Sequence, residues 1–114
     1  MSECLFCKIA AHLIPANIAY EDATVIAIED INPQAPLHLL IIPKTHIATL
    51  NDLTPGEDAL VGEMTRRAAA LAKERGYDER GFRTVFNTNR EAGQTVLHVH
   101  LHLLAGRSLG WPPG

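Results

Sequence analysis

At 114 residues the chain has room for one domain. Hydrophobic residues make up 46% and charged residues 20%, as in an ordinary folded globule, and 10 basic against 13 acidic side chains leave a formal charge of −3, which excludes a sequence-wide basic field for nucleic acid or anionic membrane. No apolar run approaches the roughly 18 residues of a spanning helix, and Lys8 and His12 break up the mildly apolar start, so a cytoplasmic protein with one domain over residues 1–114 is expected. In chain order, Leu5, Phe6, Ile9 and Leu13 recur at helical spacing ahead of Pro15 and predict a short helix over 3–12. Residues 18–20 and 24–28 are rich in β-branched side chains and read as a hairpin, followed by a loop over 30–36 punctuated by two prolines. Residues 37–42 are apolar on both sides of His38, which marks a central strand and makes His38 a structural residue. The strongest helix signal covers 54–75: Thr54 as cap, Pro55 at the first position, Glu57 closing a capping box, a stripe of Leu60, Met64, Ala68 and Leu71, and Gly76 as a left-handed stop. Strands over 82–86 and 96–104 bring the count to five. Short connections favour antiparallel pairing, so the class is α+β: a five-stranded antiparallel sheet with one long and one short helix.

Chemistry concentrates at the end of the chain. Three of the six histidines fall within five residues, in the run His98-Val99-His100-Leu101-His102-Leu103-Leu104. Strand side chains alternate between faces, so His98, His100 and His102 share one face, neighbours roughly 6–7 Å apart, and Val99, Leu101 and Leu103 share the other. Packing alone rarely selects imidazole three times where Val or Thr suits a strand better. Two chemistries compete: a zinc platform of neutral imidazoles, as in a zinc hydrolase, or a nucleophile that takes up a phosphoryl or nucleotidyl group. The polar loop 87–95 feeds straight into this strand, and its glycine, amides and hydroxyls suit an oxyanion. Cys4 and Cys7, the only cysteines, form a C-x-x-C pair. On a short helix that spacing is the usual half of a tetrahedral zinc site; a redox pair, or two inert buried thiols, are the alternatives.

The histidine run resembles the H-φ-H-φ-H-φ-φ signature (φ apolar) of the histidine-triad, or HIT, nucleotide-binding proteins. The similarity extends to Asp30-Ile31-Asn32-Pro33-Gln34-Ala35-Pro36, Ile42-Pro43-Lys44-Thr45-His46, Asn87, Gly93-Gln94-Thr95 and Trp111-Pro112-Pro113-Gly114, and with them covers nearly the whole chain. Together these motifs resemble the Hint branch, whose members hydrolyse nucleoside phosphoramidates. The resemblance implies a HIT fold that dimerises into one continuous sheet, the tail over 105–114 reaching toward the partner subunit. It also implies cleavage, at phosphorus, of a purine nucleoside monophosphate joined to an amine, without a catalytic metal. His100 is then the nucleophile that becomes nucleotidylated, with His102 and Thr95 as candidates for delivering a proton to the leaving amine. Asn87, Gly93, Gln94 and Thr95 lie on the phosphate side; Asp30 holds the ribose hydroxyls; Leu5, Phe6, Ile9, Ile28 and Ile31 wall the base pocket.

HIT members with an N-terminal C-x-x-C imply that Cys4, Cys7, His46 and His98 bind a structural zinc, leaving His100 and His102 for substrate. This chain departs from its relatives in Glu29 at the edge of the base pocket, Ala92 where a second glycine is frequent, and Thr95 where many carry serine. A dinucleoside polyphosphate hydrolase of the wider family, and a nucleotide-binding regulatory module with incidental hydrolysis, are the other functional readings.

Overall fold

Strand β3, Leu37–Pro43, is buried along its whole length, which its unbroken apolar run requires. In the computed structural model, which describes residues 3–114, it is the central strand of a five-stranded antiparallel sheet. The chain enters through helix α1 (Leu5–Ala10), forms β1 (Ile18–Glu21), β2 (Val25–Glu29) and β3, crosses by helix α2 (Asp58–Glu74), and returns as β4 (Phe82–Phe86) and β5 (Leu101–Ala105). The strand order is β1-β2-β3-β5-β4, so β5 is inserted between β3 and the edge strand β4.

Alternation divides the core between the two faces. Val25, Ala27, Leu39, Ile41, Leu101 and Leu103 pack against Met64, Ala68, Leu71 and Ala72 of α2. The predicted stripe on that helix is therefore its buried face, with Leu60 half-buried at its start. Ile26, Ile28, Leu40 and Ile42 face the other way and are covered by Phe6 and Ile9 of α1. Because α1 has only six residues, it covers part of this second face and leaves the rest open as a cleft.

Two expectations change in detail. The capping box of Thr54 and Glu57 forms as predicted, but it closes a 3₁₀ turn over Pro55–Glu57, and the α-helix begins only at Asp58. Gly76 does end it, at φ +83°, with the Tyr77 N–H on the Ala72 carbonyl at 2.9 Å. The second change matters most. The last strand was expected over 96–104, yet β5 starts at Leu101. Its pairing with β3 runs out at Ile41↔Leu101. The Pro43 carbonyl accepts from the His98 ring instead of from the ladder, and the Val99 N–H turns aside to the Ile47 carbonyl at 2.7 Å. Residues 96–100 thus run as irregular backbone. Among the described residues no helix is long and apolar enough to cross a membrane.

Candidate active site

The cleft beside α1 has a volume of about 290 Å³. Leu5, Phe6, Ile9, Ile28 and Ile31 form its apolar walls, while Asp30, Thr95, His100 and His102 stand at its polar end. Asp30 opens the turn after β2: its Oδ1 accepts from the Asn32 N–H at 2.8 Å, and its Oδ2 lies 3.4 Å from His38 Nε2. The carboxylate thus initiates the turn and also faces the cleft.

Backbone groups decide which nitrogen of each imidazole carries the proton. His100 Nδ1 lies 2.8 Å from the His98 carbonyl, which can only accept, so the proton sits on Nδ1 and Nε2 keeps a lone pair. The Phe6 ring meets His100 edge-on, centroids 4.9 Å apart, and fixes the plane of the imidazole. On β3, the Gln34 N–H donates to His38 Nδ1 at 3.0 Å, so the His38 proton sits on Nε2. That nitrogen donates to His102 Nδ1 at 2.9 Å, which leaves His102 with its proton on Nε2. A nucleophilic lone pair on His100 and a donor N–H on His102 therefore stand on adjacent rings, centroids 5.0 Å apart.

Burial keeps these rings neutral. It pushes the pKa of His100 below the ordinary histidine value, and that of His38 likewise, with the Asp30 charge opposing the shift at both. His102 falls furthest, to about 4, through burial first and then the neighbouring His100 and His38. A neutral His100 is the form that can attack.

His98 turns the other way. Its Nε2 donates to the Pro43 carbonyl at 2.8 Å, so the Nδ1 lone pair points at the N-terminal helix. Cys4 Sγ is 3.3 Å from that nitrogen, Cys7 Sγ 3.5 Å and His46 Nδ1 3.1 Å, while Cys7 Sγ is 3.3 Å from His46 Nδ1. All four donor atoms lie within 4.8 Å of one another. Zinc bonds of about 2.0–2.3 Å give tetrahedral edges of roughly 3.3–3.8 Å, close to this spacing. Two thiols and two imidazoles converging on one point, one imidazole fully buried with its proton committed elsewhere, are a donor set for a borderline-soft divalent cation. The cluster can hold a metal ion, with no coordination position left over.

A family model described as the C-terminal binding region of the scavenger mRNA decapping enzyme matches residues 3–110. A HIT-like protein of Synechococcus elongatus is 50% identical over 110 residues, 96% of either chain. The chain belongs to the histidine-triad family. Its structure superposes on a HIT family hydrolase of Legionella pneumophila with a TM-score of 0.97 and 54% identity, covering 98% of this chain and 100% of that one. The purine nucleoside phosphoramidase of Escherichia coli K12 is 47% identical over 108 residues, 95% of this chain and 91% of that protein. This histidine-triad protein is a hydrolase.

Within the histidine-triad fold the expected residues divide into three groups. Leu5, Phe6, Ile9, Ile28, Asp30, Ile31, Thr95, His100 and His102 meet at the cleft. Cys4, Cys7, His46 and His98 meet at the four-donor cluster, so His98 parts from His100 and His102 as the resemblance implied. Asn87, Gly93 and Gln94 stand outside the cleft wall. The Gln94 side chain braces the loop: its Oε1 accepts from the Asn89 N–H at 2.8 Å and its Nε2 donates to the Ala48 carbonyl at 2.8 Å. Gly93, at φ +84°, terminates the 3₁₀ turn Arg90–Ala92. His38 is buried on the central strand as expected. What the sequence left out is its hydrogen bond to His102; the one signal for it was a lone titratable side chain in an otherwise apolar central strand.

Proposed function

We propose that this protein hydrolyses purine nucleoside 5′-phosphoramidates, adenosine monophosphate joined to an amine or amino acid, through a nucleotidylated His100. The observation that carries the reading is the pair of opposite tautomers at the polar end of an apolar cleft: a lone pair on His100 Nε2 beside a proton on His102 Nε2. The 47% identity to the Escherichia coli purine nucleoside phosphoramidase supports the substrate class.

In this mechanism the purine lies among Leu5, Phe6, Ile9, Ile28 and Ile31, and Asp30 accepts hydrogen bonds from the ribose diol. Thr95 and the neighbouring loop, with Asn87, Gly93 and Gln94 behind it, face the phosphate oxygens. His100 Nε2 attacks phosphorus and a P–N bond to the ring forms as the substrate P–N bond breaks; the amine leaves with the proton held at His102 Nε2, directly or through the Thr95 hydroxyl. The hydrogen bond from His38 offsets the charge developing on the His102 ring. Water then attacks phosphorus, returns a proton to His102 Nε2 and frees His100 with nucleoside monophosphate as product. No catalytic metal takes part.

We infer further that Cys4, Cys7, His46 and His98 hold a structural zinc, which ties α1 to the segment leading into β5 and closes the cleft wall. Thiolate ligands suit a reducing compartment and support a cytoplasmic location. The single HIT domain over 1–114 pairs as a homodimer through β4, an edge strand with one unpaired side, extending the sheet across a two-fold axis with the tail 105–114 toward the partner. Light scattering at micromolar concentration should give twice the chain mass; one chain mass refutes this pairing.

The deciding experiment for the activity is turnover of adenosine 5′-phosphoramidates beside diadenosine polyphosphate, with mass spectrometry of acid-quenched protein. A nucleotidyl adduct on His100, faster turnover of the phosphoramidates and loss of both in His100→Ala are expected. Near-normal turnover in His100→Ala sinks the assignment; preference for the polyphosphate, or tight binding with negligible turnover, replaces the substrate class.

A further inference from the structure

The turn after β5 reaches across to the 30–36 loop and fastens it at two points. Arg107 Nε donates to the Gln34 carbonyl at 2.8 Å, its Nη1 donating to the Ser108 carbonyl at 3.0 Å. Gly106, at φ +101°, packs so closely on the same loop that a Cβ there would lie 2.7 Å from Pro36 Cβ. Gln34 is the residue whose N–H donates to His38 Nδ1. Its carbonyl is therefore held by Arg107 while its N–H is aimed at the buried histidine.

We propose that Arg107 is a positioning residue for the proton donor: by holding the Gln34 carbonyl it keeps the Gln34 N–H on His38 Nδ1, and so keeps the His102 proton on the nitrogen that faces the substrate. The inference rests on His102 being the proton donor of the proposed reaction. A neutral imidazole has one N–H, and its two tautomers are close in energy until a neighbour discriminates between them. Here two neighbours discriminate: the Gln34 N–H at 3.0 Å from Nδ1 and, more weakly at 3.4 Å from Nε2, the Asp30 carboxylate. If residue 34 rotates away, His38 Nδ1 loses its backbone donor, the longer Asp30 contact alone favours the proton on Nε2, and the Nδ1–H tautomer, which offers His102 Nδ1 no donor, becomes populated. The chain of three bonds runs Arg107 to Gln34 at 2.8 Å, Gln34 to His38 at 3.0 Å and His38 to His102 at 2.9 Å. Arg107 is exposed and does not line the cleft, so it acts on the chemistry only through this chain.

The test compares Arg107→Ala, Arg107→Lys and Arg80→Ala in the full chain. Arg80 is the control, since it donates to the Gly106 carbonyl at 3.4 Å and so holds the turn without touching the loop. The readouts are ring ¹⁵N spectra of His38 and His102 without substrate, and kcat and KM for an adenosine phosphoramidate.

Arg107→Ala should show His38 exchanging between tautomers, kcat about tenfold lower and KM within about twofold of wild type. Arg107→Lys, which can still donate to the carbonyl, should recover the wild-type His38 spectrum and most of kcat. Arg80→Ala should match wild type. An unchanged His38 spectrum in Arg107→Ala overturns the proposal, as does an Arg80→Ala variant with the same loss of kcat, which would make the turn a structural strap. Should Arg107→Ala fail to fold, a lysine variant that folds, keeps the wild-type His38 spectrum and still loses kcat tenfold overturns it equally. If wild-type His38 carries its proton on Nδ1, the proton path in the proposed reaction fails, independently of Arg107.

Discussion

Acid should destabilise this protein through His102 well before its carboxylates titrate, and His102→Gln should remove that sensitivity. The half-buried His102 ring has its pKa lowered from 6.5 to about 4, by burial and by the adjacent His100 and His38. The unfolded chain binds at ordinary pH the proton that the folded ring refuses. The stability attached to this residue is therefore complete above about pH 6.5, falls as pH drops toward 4, and levels off below that. At about 1.4 kcal/mol for each tenfold difference in proton affinity, the full span corresponds to about 3 kcal/mol. His38 and His100, lowered in the same direction, add to the slope. Glutamine at 102 does not titrate, and its carbonyl can accept the His38 Nε2–H. Urea unfolding of wild type and His102→Gln between pH 4 and 8 isolates the residue, because every other titrating group is common to both. The difference in unfolding free energy should grow by about 3 kcal/mol from pH 4 to pH 7. Parallel curves for the two proteins would refute the reasoning and return His102 to an ordinary solvated histidine.

Three more outcomes follow from the geometry. Elemental analysis should find about one zinc per chain, and Cys4→Ser should lose the metal and lower the melting temperature, since a missing thiolate leaves three donors around the point now shared by four. Asp30→Asn should raise KM for the ribonucleotide substrate by about tenfold, and the two proteins should differ far less on a 2′-deoxy substrate; equal effects on both would assign Asp30 to its turn alone. Met64→Ala, at a fully buried position between α2 and the sheet, should cost about 2–5 kcal/mol in denaturant unfolding with kcat unchanged, because the cavity opens on the face opposite the cleft.

The sequence by itself determined the elements whose information is local. The alternation at Leu101, His102 and Leu103 predicts which side chains of β5 are core, and they are buried as expected with His102 on the open face. The spacing of Met64, Ala68 and Leu71 predicts the buried stripe of α2, and Gly76 its end. The apolar cleft residues from Leu5 to Ile31 were legible through the resemblance of their motifs. What only the tertiary structure decided are the partners of the polar atoms. The resemblance already grouped His98 with Cys4, Cys7 and His46; the structure supplies the route, because β3 ends at Pro43 and the segment before Leu101 leaves the sheet and carries the His98 ring to them. His38 lies 64 residues from His102 and joins it only because β3 and β5 pair in a register that sets Leu40 opposite His102, placing His38 on the same face two residues away. The tautomers depend on the Gln34 N–H and on the His98 and Pro43 carbonyls. Main-chain groups carry no residue identity. Periodicity therefore shows which face a side chain takes, whereas the proton it holds is set by whatever backbone the long-range pairing brings beside it.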